Sequence, residues 1–212
     1  MKASAQIATV TPPCDIRNKW GEFKLRIFRI QSNERLEDIA ALYLNLPSEE
    51  CLLRINSACI TSESFGDVSC DCKWQMDEAI AAVAALGSGL IIYAQNQEGR
   101  GIGLFDKVRT MHLMHTQKLS TARAFTALGF ETDLRSYEFV LPILNYFEIK
   151  RLRLMTNNPS KMDLFDQSSI ELVSTVPMVY RGDLSLSEYL NSKKEELGHF
   201  IDLGLEVGAN DR

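Results

Sequence analysis

One short stretch restricts the fold of this chain more than any other. Leu90-Ile91-Ile92-Tyr93 is an uncharged apolar run set between Gly87-Ser88-Gly89 and the glycine-rich segment Gln97-Glu98-Gly99-Arg100-Gly101-Ile102-Gly103. A strand with one face in water alternates apolar and polar residues, so a continuous apolar run reads as a strand covered on both faces. The residues before it, Gln75 to Leu86, are alanine-rich with Asp77 and Glu78 near the start, which predicts a helix closed by the glycines at 87 and 89. A helix feeding a doubly covered strand is the repeating unit of an α/β fold.

The rest of the chain continues that alternation. Strands are expected at Phe23 to Phe28, Ala40 to Leu46, Cys51 to Ile55, Arg151 to Met155 and Glu171 to Val176. Helices are expected at Leu104 to Leu119, Ala122 to Leu128, Glu138 to Phe147 (despite Pro142), from Lys161 to Asp166, and in the charged segment Asp183 to Leu197. Cys59 to Cys72 reads as a polar loop, and Thr156-Asn157-Asn158-Pro159 as a turn. The expected class is therefore α/β, a mixed sheet flanked by helices with a β-rich N-terminal segment.

Composition narrows the function. With 45% hydrophobic and 24% charged residues in 212, the chain can bury a core without staples, which excludes disorder and a disulfide miniprotein. A net charge of −5 argues against general nucleic-acid binding, though a basic pocket for one small anion stays compatible with it. Residues 1 to 13 lack the basic start and apolar run of a signal peptide, and the longest uncharged apolar stretch, Ala79 to Ala94, is too short for a spanning helix. The expectation is a cytoplasmic protein that binds neither membrane nor nucleic acid.

In a reducing compartment, clustered cysteines point to metal or catalysis rather than disulfides. Three of the five cluster here: Cys59, Cys70 and Cys72. Three thiolates can hold Zn²⁺ with one position left for water. A structural zinc completed by Cys14, Cys51, His112, His115 or His199 satisfies the same pattern, as do three ordinary buried cysteines. The segment from Glu98 to Gly103 sits between strand and helix, where backbone N–H groups and a helix N-terminus suit a phosphate and Arg100 can pair with it; a ligand-free tight turn is the alternative. Asp133-Leu134-Arg135 and Thr156 to Lys161 carry little information singly.

In order, Arg54-x-x-Ser57-x-Cys59, Cys70-Asp71-Cys72, the run Gln97 to Leu104, Leu128-Gly129-Phe130-x-x-Asp133-x-Arg135 and Thr156-Asn157-Asn158-Pro159-x-Lys161 resemble the GTP cyclohydrolase II family. The resemblance covers residues 20 to 203 as a single catalytic domain, leaving an extension at 1 to 19 and a tail at 204 to 212. It implies hydrolytic opening of the GTP imidazole ring at C8, with loss of formate and pyrophosphate, in riboflavin synthesis. It further implies Zn²⁺ on Cys59, Cys70 and Cys72 activating the attacking water, Mg²⁺ on the triphosphate, and a homodimer. By the same likeness GTP would meet Arg54, Ile55, Asn56, Ser57, Ala58, Gln75, Glu98, Gly99, Arg100, Thr121, Thr156 and Lys161. Asp133 would accept a proton, and Arg135 would act at the α-phosphate, as nucleophile in the family's scheme or as a stabiliser of charge. This chain departs from the family pattern at Asn56, Ala58 and Asn96. It also carries Met111 where the family has an active-site tyrosine. A thioether donates no hydrogen bond, so ring opening without deformylation is one alternative outcome, and a non-catalytic GTP- or zinc-binding relative is another.

Overall fold

Eight strands form one mixed sheet in the order β1-β3-β4-β6-β5-β7-β8, with β2 paired to β3. The computed structural model describes residues 5–32, 35–46, 49–180, 190, 191, 194, 195, 198 and 199, so most of the helix expected between 183 and 197 lies outside the described residues. The strands are β1 (Gln6–Val10), β2 (Cys14–Asn18), β3 (Gly21–Ser32), β4 (Arg35–Leu44), β5 (Cys51–Ser57), β6 (Gly89–Ala94), β7 (Arg151–Met155) and β8 (Glu171–Val176). The helices are α1 (Ile60–Glu63), α2 (Cys72–Leu86), α3 (Gly103–Gln117), α4 (Thr121–Ala127), α5 (Val140–Tyr146) and α6 (Pro159–Met162).

The N-terminal half is antiparallel. β1 and β2 share one edge of β3, β1 meeting residues 28–31 and β2 residues 21–25, while β4 takes the other edge. The segment expected as an extension thus contributes two strands to the sheet. The other half is parallel: β6, β5, β7 and β8 all run in one direction. β6 inserts between β4 and β5, pairing antiparallel with the first and parallel with the second.

The apolar run that opened the sequence reading behaves as its chemistry requires. Leu90 and Ile92 face one core with Val140, Ile143 and Leu144 of α5, whereas Ile91 faces the other with Ala79, Ile80 and Val83 of α2. The alternation follows the two-residue period of a strand. Gly89 has a steric reason as well: a Cβ there would lie 2.8 Å from a Val83 methyl and 2.9 Å from the Leu52 carbonyl oxygen.

Most elements end within a few residues of the expected bounds or run longer, as β3 and β4 do at their hairpin, and three local departures bear on the site or its core. α2 begins three residues early, with Asp71 just before it, so Cys72 stands in its first turn instead of in the loop. The polar loop after Cys59 contains the short helix α1. Pro142 lies in the first turn of α5, where backbone N–H groups have no helical partner to lose.

The topology decides where a ligand can go. The chain leaves β5 for β6 on one side and returns to β7 on the other, so β5 is a switch point between parallel neighbours. The segments following β5, β6 and β7 all emerge at the carboxyl ends of these strands, the usual ligand crevice of an open α/β sheet.

Candidate active site

The crevice at those strand ends is a cavity of about 530 Å³, within the roughly 300–1,000 Å³ of small-molecule sites. On β5, the residues facing α2 run Leu52, Arg54, Asn56, so the row that starts as core ends as two buried polar groups at the cavity. The Arg54 guanidinium meets partners on three residues. It donates to the Met155 carbonyl oxygen at 3.1 Å, to Asn56 Oδ1 at 3.1 Å and to Gln75 Oε1 at 2.6 Å. Burial pushes it below its ordinary pKa, opposed chiefly by the charge of Asp71. Gln75, one turn into α2, donates in turn to Asp71 at 2.6 Å.

Cys59 follows β5, and Cys70 and Cys72 lead into α2. Their three sulfur atoms lie within 4.8 Å of one another, and Cys59 and Cys70 are 3.7 Å apart. Two thiolates on a tetrahedral zinc with Zn–S near 2.3 Å stand about 3.8 Å apart, so the spacing fits that ion. Among the described residues, which include His112, His115 and His199, no fourth His, Cys, Asp or Glu joins the group. Cys14 is exposed and Cys51 is buried within the core, where burial pushes its thiol up to about 12. Hydrogen bonds from Cys70 and Cys72, together with the Lys107 ammonium, draw the Cys59 thiol well below its ordinary value against the effect of burial.

Glu63 braces this corner. Its carboxylate accepts from Tyr93 Oη at 2.6 Å, from Asn56 Nδ2 at 2.9 Å and from the Cys59 backbone N–H at 3.3 Å. Burial raises its pKa in spite of those three donors.

The glycine segment after β6 is a tight turn packed against protein, with Gly99 and Arg100 on the cavity wall. Gly99 and Arg100 both take left-handed backbone angles, φ +59° in each. A Cβ on Gly99 would stand 2.8 Å from the Lys107 Cβ, and one on Gly101 would stand 3.0–3.2 Å from the backbone of Leu134 and Arg135. The glycines therefore let two protein segments approach the loop, with a backbone bond from Leu134 N–H to the Arg100 carbonyl at 3.0 Å. Gly101→Ala is expected to lower stability by about 1–3 kcal/mol, since neither backbone can yield cheaply at a positive φ. Turnover is expected to fall about 10²-fold through displacement of the 133–135 segment. Denaturant titration beside steady-state rates checks both.

Arg135 forms a fork with Asp133, its Nε donating to Oδ1 at 2.8 Å. Burial would raise the Asp133 carboxyl, but Arg135 outweighs it and holds the group below the usual carboxylate range, so it is ionised at neutral pH. Thr156 and Asn158 form the turn after β7: the Thr156 hydroxyl accepts from Asn158 N–H at 3.0 Å, and Asn158 Oδ1 caps α6 through Ser160 N–H at 2.9 Å. Lys161 in α6 is buried, donates to the Ile55 carbonyl at 2.7 Å and lies 5.3 Å over the Tyr137 ring.

Of the residues singled out from sequence, Arg54, Asn56, Ser57, Ala58, Cys59, Cys70, Cys72, Gln75, Gly99, Arg100, Met111, Thr121, Arg135, Thr156 and Lys161 line this one cavity. Three stand behind it. Ile55 points into the core and offers its carbonyl to Lys161. Asp133 backs Arg135. Glu98 spends both oxygens on protein, accepting from Ile60 N–H at 2.7 Å and from Lys107 Nζ at 2.7 Å. Sequence reading missed Lys107, Thr110 and Phe125 on the wall. Lys107 precedes Met111 by four residues, which puts both on one helix face; that period was the available signal.

A sequence model of the family described as GTP cyclohydrolase II matches residues 9–177. A GTP cyclohydrolase-2 of Shewanella baltica is 38% identical over 183 residues, 86% of this chain and 88% of the relative. One of Colwellia psychrerythraea is 35% identical over 193 residues, 91% and 94% of the two chains. A riboflavin biosynthesis protein of Vibrio vulnificus is 36% identical over 87% of this chain, which matches 50% of that longer protein.

Proposed function

The chain belongs to the GTP cyclohydrolase II family and is a hydrolase acting on GTP, and from that premise we propose that it opens the imidazole ring at C8. Formate and pyrophosphate leave, giving 2,5-diamino-6-ribosylamino-4(3H)-pyrimidinone 5′-phosphate. One observation carries the reading: a three-cysteine cluster and the cations Arg54, Arg100, Arg135 and Lys161 line one cavity. Cys59, Cys70 and Cys72 would hold the zinc, which would supply Lewis acidity and lower the pKa of a water to about 7.

The chain's own residues do the remaining work. Arg100, Arg135 and Lys161 neutralise a triphosphate, with Mg²⁺ accompanying that substrate. Arg54 and Gln75 fix one end of the cavity through their shared bond. Asp133, ionised and bonded to Arg135 behind the cavity wall, orients that guanidinium, and the family resemblance gives it the further role of proton acceptor. Arg135 keeps its charge and stabilises the phosphoryl group, since a protonated guanidinium is a poor nucleophile. The family resemblance extends the proposal to a homodimer.

Met111 favours a second reading. It lines the cavity, and no tyrosine does so among the described residues. If the missing phenol handles the proton for deformylation, the product keeps its formyl group. Incubation with GTP, Zn²⁺ and Mg²⁺ followed by mass analysis separates the two. The expected result is one formate and one pyrophosphate per GTP. A formamidopyrimidine product that Met111→Tyr converts to the deformylated one establishes the second reading. Bound GTP without turnover overturns both.

A further inference from the structure

One closely held cation on the wall of this cavity is left unused by the substrate chemistry above. Lys107, on α3, places Nζ 3.1 Å from Cys59 Sγ and 2.7 Å from Glu98 Oε1. Its side chain is only 15% exposed and that of Glu98 only 7%. Three features hold it there. Gly99 leaves just enough room for its stem, with a virtual Cβ 2.8 Å from the Lys107 Cβ. Glu98 is tied by its other oxygen to the Ile60 N–H, in the turn that begins at Cys59. The Lys107 carbonyl is bonded by Thr110 Oγ1 at 2.7 Å. The ammonium is therefore fixed between a carboxylate and a sulfur, with its stem set by the glycine loop.

A sulfur ligand that accepts a charge-assisted hydrogen bond donates less electron density to its metal. The same bond holds the sulfur at one position relative to the other two ligands. We propose that Lys107 is a positioning residue for the zinc site, donating to the Cys59 thiolate so as to fix its orientation. Glu98 and Gly99 then serve the metal through Lys107, which gives two residues of the Gln-Glu-Gly-Arg segment a role other than touching phosphate.

The inference rests on the zinc reading, and its test separates the two. Zn²⁺ affinity is measured by chelator competition, and Co²⁺-substituted protein is examined for its sulfur-to-cobalt charge-transfer band. Lys107→Met is expected to weaken Zn²⁺ binding about 10–100-fold, because the Cys59 sulfur loses the bond that holds it in place, and to move the band to longer wavelength, because that sulfur becomes a stronger donor. Lys107→Arg is expected to restore most of both. The double variant Lys107→Met/Glu98→Gln, which leaves no unpaired buried carboxylate, covers the case in which the single variant folds poorly, and is expected to show the same band shift. Wild-type protein that binds neither metal through the cysteines overturns the zinc reading. Wild-type binding with an unchanged affinity and band in the lysine variants overturns this inference alone.

Discussion

Replacing Cys70 with serine is expected to reduce bound zinc from one per chain to a small fraction of that and to cut GTP turnover by about 10³-fold or more. The reason is geometric and chemical together. Cys70 stands 3.7 Å from Cys59, at the spacing of two ligands on one tetrahedral ion, and the cluster has no spare protein ligand among the described residues. A serine hydroxyl is a far weaker ligand than a thiolate at neutral pH. The fold itself should survive, because Cys70 is only partly buried and lies outside both hydrophobic clusters. Elemental analysis, circular dichroism and turnover on one preparation decide the matter. Full zinc with wild-type turnover in this variant would show that the cysteines are not the catalytic metal site.

Arg54→Met is expected to damage both stability and substrate handling, in contrast to the cysteine variant. Arg54 is 5% exposed, and its guanidinium fills acceptors on three residues, Met155, Asn56 and Gln75. Methionine fits the stem but leaves these acceptors unpaired and takes a counter-charge from buried Asp71, at a cost of about 3–5 kcal/mol. Gln75 and Asn56 then lose their orientation on the cavity wall, so KM for GTP is expected to rise at least tenfold as well. Arg54→Lys should recover little, because one ammonium cannot reproduce a planar fork that meets partners in different directions. Denaturant midpoints with KM measurements on the two variants test this. A stable Arg54→Met protein with unchanged KM would remove Arg54 from the site.

Particular residues show what could be read in advance. The strands Arg151–Met155 and Glu171–Val176 stand where the sequence places them, because both are short and β-rich with clear turns on either side. Cys59, Cys70 and Cys72 were legible from residue chemistry, since few side chains bind metal so readily. β1 and β2 were not distinguished, because Gln6–Val10 and Cys14–Asn18 are half-exposed and acquire their meaning from pairing with β3. The glycine loop was legible as a site but not in its detail. A Gly-x-Gly pattern cannot say whether the absent Cβ makes room for a phosphate or for Lys107 and Leu134.

The sequence by itself determined the α/β alternation, the doubly covered strand at 90–93 and the three candidate metal ligands. Each depends on the period of apolar residues or on the chemistry of a single side chain, and both are local. The tertiary structure alone decided which side chains meet. Lys107 reaches a sulfur 48 positions away, and Arg54 reaches a carbonyl 101 positions away. Those contacts are set by the strand order, in which β5 lies between β6 and β7 and gathers three loops at one edge. No local pattern encodes that order, because it follows from how two faces of one sheet are covered at once.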